Sequence, residues 1–314
     1  MSVLDHISRE ELRQLQERSN LRAAWMTLAN FALVAVGFAL PVVWGGGPGW
    51  IAGALVLGGR SLGLGILVHD AAHQTLFTSK RLNEWAGKWL FGGLPNVPYA
   101  AYREGHLRHH RAAGTPDDPD LAFVDGYPAS RASLARKLLR DVSGVTGAKN
   151  IAYQAASFRL DKQRPFLLAH AALIGLLLCL HHVEAYACWW LAQLFVLPLL
   201  MRLRVMGEHG GVDDHFDADP RANTATTLAG PLARLLCAPN HVNFHLEHHF
   251  APGVPSYRLR EMHRRLAARG CYDGWHCVAA SYLQVVRRCL RSTAAAVEPR
   301  PVRARAKGAL SRMQ

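Results

Sequence analysis

Three clusters of histidine, far apart along the chain, constrain its fold more than any other feature: His69 with His73 in HDAAH, His106 with His109 and His110 in HLRHH, and His245 with His248 and His249 in HLEHH. Each lies close to an end of a strongly apolar stretch. Residues three and four apart share one face of a helix, so each cluster projects its imidazoles toward a single point. A neutral imidazole donates one nitrogen lone pair and suits iron, copper, zinc and nickel. Eight such donors exceed what one tetrahedral zinc takes, whereas two metals sharing them leave each with about four protein nitrogens and open positions for oxygen. A dinuclear iron site therefore follows more naturally than a single-metal site. A lone histidine at a membrane edge reads as an interfacial or core side chain, but the repeated H-x-x-H-H spacing argues against that here. His209, in RVMGEHGG, is a ninth candidate.

Half of the 314 residues are hydrophobic and the net charge is +13, an average that hides sharp segregation. Four apolar stretches, residues 23–43, 50–68, 165–180 and 185–203, come near the roughly 20 residues needed to cross a bilayer, and Lys and Arg crowd the N-terminal segment, the long segment between the second and third stretches, and the chain after the fourth. Basic residues flanking apolar spans point to a membrane surface and away from nucleic acid. The expected fold is an all-α membrane protein with four transmembrane helices. GGGPG and the stretch around His181, His182 and Glu184 contain no Lys or Arg, so all the basic loops fall on one side. By the positive-inside rule both termini are cytoplasmic, in a bacterium at the inner membrane, and all three clusters share that face. Residues 89–102 are apolar but short and interrupted by Pro95 and Pro98, which reads as interfacial or re-entrant.

The remaining segments are read as one integrated unit. Residues 1–22 form a cytosolic amphipathic helix with a Ser8 to Glu11 capping box, with no cleavable signal peptide. Residues 23–292 form one domain, since distant clusters must meet, and residues 293–314 form a basic, disordered tail. Residues 131–164 read as one or two amphipathic helices at the headgroup level. The six cysteines form no C-x-x-C pair and read as small core hydrophobes. Arg60, near the middle of the second span, either marks a functional site or is structural. Trp189 and Trp190 read as an interfacial anchor.

HDAAHQ, REGHLRHH and PNHVNFHLEHHFAPGVP together resemble the membrane fatty acid desaturase superfamily, which also holds sphingolipid desaturases, acyl hydroxylases, and carotenoid ketolases and hydroxylases. The resemblance runs from about Ala24 to Gly270. It implies the four-span fold with a cytosolic cap, two iron ions, and His69, His73, His106, His109, His110, His209, His245, His248 and His249 as their ligands. Some members carry an Asn four residues before the histidine that matches His209. Val205 stands there in this chain, so Asn240, His241 or Asn243 are the candidates to compensate. Several members carry a fused cytochrome b5 domain and a Q-x-x-H-H third box. This chain has His245 in that place and no HPGG segment, so a separate carrier, a ferredoxin or a cytochrome b5-like protein, is expected to deliver electrons.

Asp70, Glu208 and Glu247 adjoin candidate ligands, and Asp117, Asp118 and Asp120 follow the second cluster. A carboxylate that accepts the distal N–H of a ligand histidine fixes its tautomer. An alkyl C–H bond offers no handle to acid or base, so its cleavage needs a strong oxidant of the kind iron makes from dioxygen. The leading expectation is desaturation of an acyl chain of a fatty acid or lipid, with O2 and two electrons consumed. The alternatives are a hydroxylase or ketolase acting on a lipid, sphingoid base or carotenoid, and a zinc-binding membrane scaffold or transporter. Transporters place ligands near the midplane, and these clusters lie at its edge.

Overall fold

The computed structural model describes residues 3–290; the 293–314 tail lies outside them. The capping box forms: Ser8 N–H donates to Glu11 Oε2 at 3.0 Å and Glu11 N–H to Ser8 Oγ at 3.2 Å, starting helix α1 (Arg9–Gln16). Such a cap contributes about 1 kcal/mol. Two long helices follow, α2 (Asn20–Trp44) and α3 (Gly46–Ala72), joined by a tight turn at Gly45. Gly45 and Gly46 adopt left-handed backbone with φ of 61° and 53°, which explains glycine there.

Why α2 and α3 lie so close is written in the sequence GWIAG. A Cβ on Gly53 would stand 2.7 Å from the Gly37 carbonyl of α2, and one on Gly49 would stand 2.8 Å from that of Leu40. Small residues four apart thus form the contact face, the usual device for membrane helices. The apolar window of α3 is 72% buried against 28% for α2, so α3 is the central pole of the bundle. Outward-facing Leu21, Trp25, Leu28, Trp44 and Ile51 leave an apolar belt on the outside of the pair.

Beyond α3 come α4 (Lys80–Trp85), a π-helical turn (Ala86–Phe91), α5 (Tyr99–Ala112), α6 (Leu121–Val124), α7 (Arg131–Val142) and α8 (Val145–Ala156). Residues 89–102 form no long helix; they pass through the π turn and a bend into the first turn of α5. The long helix α9 (Leu160–Cys179) covers the third expected span. Its first turns carry Asp161, Lys162 and Arg164, which shortens its apolar length. Among the described residues, three helical runs are long and apolar enough to cross a membrane: Asn20–Trp44, Gly46–Ala72 and Val183–Gly210. The last consists of a short 3-10 turn (Val183–Ala185), α10 (Tyr186–Leu191), a π turn (Ala192–Val196), α11 (Leu197–Val205) and a second π turn (Met206–Gly210).

Trp189 is a correction to the sequence reading. It is 1% exposed and stacks on Phe38 with ring centroids 6.4 Å apart, a core residue and no surface anchor. Arg202 pairs with buried Asp141 of α7, donating from Nη2 to Oδ1 at 3.0 Å, which ties the end of the last apolar run to the α7–α8 pair.

The C-terminal part wraps around the His69 end of α3. It comprises α12 (Pro220–Asn223), strand β1 (Thr226–Thr227), α13 (Pro231–Leu236), α14 (His245–Phe250), α15 (Ser256–Ala267), strand β2 (Val278–Ala279) and α16 (Tyr282–Arg288). β1 and β2 pair in parallel, with Thr226 opposite Val278. A second, smaller core joins α1 to α15 through Ile7, Leu15, Leu259, Met262 and Leu266.

Arg60 is structural. Buried at 4% exposure, it donates to Asn30 Oδ1 at 3.2 Å, to the Arg234 carbonyl at 3.4 Å and to the Leu235 carbonyl. Those carbonyls end α13, where a cation is favourable. Asn30 Nδ2 then donates to Asn240 Oδ1 at 2.8 Å, and Asn240 Nδ2 to the Gly63 carbonyl at 2.8 Å. The chain entering α14 is thereby fastened to the middle of α3.

Candidate metal centre

Helical spacing delivers each histidine cluster, and cross-element hydrogen bonds set the clusters against one another. His69 lies in the last turn of α3 and His73 caps it. Tyr99 Oη donates to the Ala71 carbonyl at 3.0 Å and Arg103 Nε to the Ala72 carbonyl at 3.1 Å, so α5 binds the open end of α3. His106, His109 and His110 follow on α5, and α14 carries His245, His248 and His249. His209 sits in the π turn Met206–Gly210, an irregularity frequent at functional sites.

The nine rings fall into two groups able to hold a metal. One joins His69, His73, His106, His110 and His248; the other joins His109, His209, His245 and His249, and in each the donor atoms lie within 4.8 Å of one another. Around the first group the Nε2 atoms run His69 to His248 3.0 Å, His248 to His110 2.9 Å, His110 to His106 3.1 Å and His106 to His73 2.9 Å. In the second, His209 to His245 is 3.0 Å, His245 to His249 3.2 Å and His249 to His109 3.3 Å. The groups adjoin, with the His110 and His249 rings stacked 4.4 Å apart.

These spacings test which ion would fit. Two bonds of roughly 2.1 Å at a right angle place their donors about 3.0 Å apart, and at the tetrahedral angle about 3.4 Å. The five-histidine group has the tighter spacing and one donor too many for tetrahedral zinc, which favours a metal of higher coordination number.

Tautomers support the same reading. His69 Nδ1 lies 2.9 Å from Asp70 Oδ1, and His109 Nδ1 lies 2.8 Å from Asp118 Oδ1. His209 Nδ1 donates to the Asn223 carbonyl at 3.1 Å. With the proton on Nδ1, each Nε2 keeps a bare lone pair, and lone pairs converging at 3 Å repel unless a cation sits between them. Burial, then the repulsion a protonated ring would meet from Arg103 and neighbouring histidines, holds His73 at about 4 and His110 at about 2. The same causes hold His106, His245, His248 and His249 well below the ordinary histidine value. His109 is the exception. Burial pulls it down, but the Asp118 hydrogen bond and the charges of Asp120 and Asp118 outweigh that and raise it.

The carboxylates singled out from sequence separate by position. Asp70 accepts from His69 and, on its other oxygen, from the Ser256 hydroxyl of α15. Glu208 accepts from Arg204 Nε at 2.7 Å and lies 3.7 Å from His245 Nδ1, which is buried without a hydrogen-bond partner among the described residues. Glu247 turns elsewhere: it accepts from His263 Nδ1 at 2.7 Å and from the Thr226 and Tyr272 hydroxyls. Burial and the Glu247 charge push the Tyr272 hydroxyl well above its ordinary value. Asp118 reaches His109, and Asp120 Oδ2 lies 3.8 Å from the same nitrogen. Asp117 is exposed. Asn240 and Asn243 spend their amides on backbone, the latter donating to the Thr227 carbonyl at 2.9 Å, and His241 belongs to neither group. Val205 lines a cavity beside the second group.

Sequence reasoning gave no role to Ser256, Asn223 or Arg204, because each acts through a partner distant in the chain or through a carboxylate whose own direction the sequence does not show.

A family profile described as fatty acid desaturase matches residues 48–280. A dihydrorhizobitoxine desaturase of Bradyrhizobium elkanii is 28% identical over 88% of this chain and 83% of its own length. A sphingolipid delta(4)-desaturase/C4-monooxygenase of Bos taurus is 30% identical over 62% of this chain and 59% of its own length. A beta-carotene ketolase of a Paracoccus species is 29% identical over 76% of this chain and 86% of its own length.

Proposed function

The chain belongs to the fatty acid desaturase family and is an oxidoreductase, and from that premise we propose that it is an integral-membrane diiron enzyme that desaturates an acyl chain of a fatty acid or lipid with dioxygen and two electrons. The observation that carries the reading is the pair of adjoining histidine groups, five donors and four, with bare nitrogens about 3 Å apart. When bound, a pair of irons supplies the oxidising power that an unactivated C–H bond demands.

The chain's own residues do the rest. His69, His73, His106, His110 and His248 hold one ion and His109, His209, His245 and His249 the other. Asp70, Asp118 and the Asn223 carbonyl fix the donor tautomers, and Glu208 faces His245. The walls from α5, α6 and α11 keep bulk water from the reacting carbon. A separate carrier, ferredoxin or cytochrome b5-like, brings the electrons, and the basic loops suit an acidic partner by electrostatic steering.

Parity supports a four-span topology with both termini and all histidines on the cytoplasmic side. His73 and His209 lie in adjoining groups, so the chain between them crosses an even number of times. The run Val183–Gly210 is long enough to cross, which makes α9 the natural second crossing. Its outward-facing Leu167, Leu168, Leu176 and Leu178 suit lipid contact.

Expression of the chain against a His109→Ala control, with lipid mass spectrometry and metal analysis, tests the proposal. Products lacking a hydrogen pair and about two irons per chain are expected. Products that gain an oxygen atom would mean a hydroxylase or ketolase. Zinc alone with no oxygen consumption would mean a scaffold.

A further inference from the structure

One cavity of about 360 Å³ opens onto the histidines, bordered by His106, His109, His209 and His245. Leu121, Phe123, Val124, Met201 and Val205 supply apolar wall. Charged groups stand in the same space. Arg204 lines it, and among the described residues its only hydrogen bond runs from Nε to Glu208, which leaves the two terminal nitrogens of the guanidinium unengaged. Asp120 also lines it, with its side chain 47% exposed; its Oδ2 lies 3.8 Å from His109 Nδ1, and its carboxylate accepts no hydrogen bond among the described residues. Asp118, by contrast, is taken by His109, and the Asn223 amide by the Asp217 carbonyl.

An alkyl chain laid across this cavity would strip water from a guanidinium and a carboxylate and return no hydrogen bond, which is costly. A substrate that brings its own charges avoids that cost. We propose that the cavity selects an amphiphile whose head carries both an ammonium and an oxygen function, an amino alcohol or amino acid, with the ammonium on Asp120 and the oxygen on the free edge of Arg204. Because these two groups share one cavity with the histidines, the carbons brought to the metals are those within a few bonds of the head, with the tail leaving along Leu121, Phe123 and Met201. The inference rests on the oxidase reading and narrows its substrate from acyl chains in general to head-proximal positions of a zwitterionic or amino-alcohol lipid.

The test is equilibrium binding to the full-length, metal-loaded protein in lipid nanodiscs, with sphinganine, octadecylamine, stearate and stearyl alcohol as probes. Sphinganine is expected to bind about tenfold or more tightly than each of the others, the increment of one charge-assisted hydrogen bond. Arg204→Gln is expected to bring sphinganine level with octadecylamine, Asp120→Asn to bring it level with stearyl alcohol, and Arg204→Lys to retain part of the preference. Metal content is measured on every variant. If Arg204→Gln loses metal through Glu208, then Asp120→Asn and Arg204→Lys decide the matter. Equal or tighter binding of stearate overturns the proposal, as does a sphinganine preference that survives both charge-removing substitutions. Zinc without oxygen consumption in the wild type would overturn the oxidase reading instead, whichever amphiphile binds.

Discussion

Around His109 two forces oppose each other, and their balance shows what Asp118 is for. Burial alone would make the ring a poor base, yet the Asp118 carboxylate 2.8 Å from Nδ1 raises it above its ordinary value. A carboxylate in that position fixes which nitrogen bears the proton and strengthens the other as a donor. Asp118→Ala should therefore weaken the four-histidine group and spare the five-histidine group, which relies on Asp70. The loss in metal affinity expected for such a change is about 10- to 100-fold, so under limiting iron the metal content should fall from about two per chain toward one. Retention of both ions at wild-type affinity would show that Asp118 has no part in the centre. The histidines themselves were legible because i, i+3 and i, i+4 spacing is local. Their carboxylate partners were legible only in part. Glu247 adjoins His248 just as Asp70 adjoins His69, but neighbouring residues on a helix point in different directions, and only the surroundings of α14 and α15 show that Glu247 turns toward Thr226, His263 and Tyr272.

Among the elements, long apolar runs announced α2, α3 and the run ending at His209, and GWIAG supplied the close α2–α3 contact. What pattern alone left open was Arg60, because its partners Arg234 and Leu235 lie 174 and 175 residues away. The first helix is a similar case. Its capping box is readable, but its docking beside α15 is not, since that involves Glu11 meeting Arg265 of α15 at 3.8 Å and Arg269, just past its end, at 2.6 Å. The Arg269 hydrogen bond, with help from the Ser8 backbone, lowers Glu11 from 4.5 to about 2. A depressed carboxylate contributes stability that is present above its unfolded value and lost as pH falls through its folded value. The α1–α15 contact should thus hold at pH above about 4.5 and loosen progressively toward pH 2. Amide protection in α1, expressed relative to the intrinsic exchange rate at each pH, should fall over that window in the wild type, and Glu11→Gln should show the reduced protection already at neutral pH. Equal protection of α1 in the two proteins at neutral pH would mean that the apolar contacts of Ile7 and Leu15 suffice.

For the molecule as a whole, the membrane is the constraint that turns a set of local helices into one site. Distant histidines can share a centre only if the chain between them returns to the same face of the bilayer, so the topology and the metal site stand or fall together. The third expected span, α9, has charged first turns that leave it a short apolar length. Physical cost does not forbid the crossing, since Lys and Arg near a helix end reach the interface along their own stems and short spans are met by local thinning. Cys179 offers a native reporter. It ends α9 and is exposed, whereas the other cysteines, all among the described residues, are buried. If α9 crosses, Cys179 faces the side opposite the histidines, and a membrane-impermeant maleimide should label wild-type protein in intact cells but not Cys179→Ser. Labelling of Cys179 only after permeabilisation would place the α9–α10 turn on the inner side. The run ending at His209 could then not be a single crossing, because the His209 and His73 groups adjoin, and the bundle would have to be redrawn with only α2 and α3 spanning it.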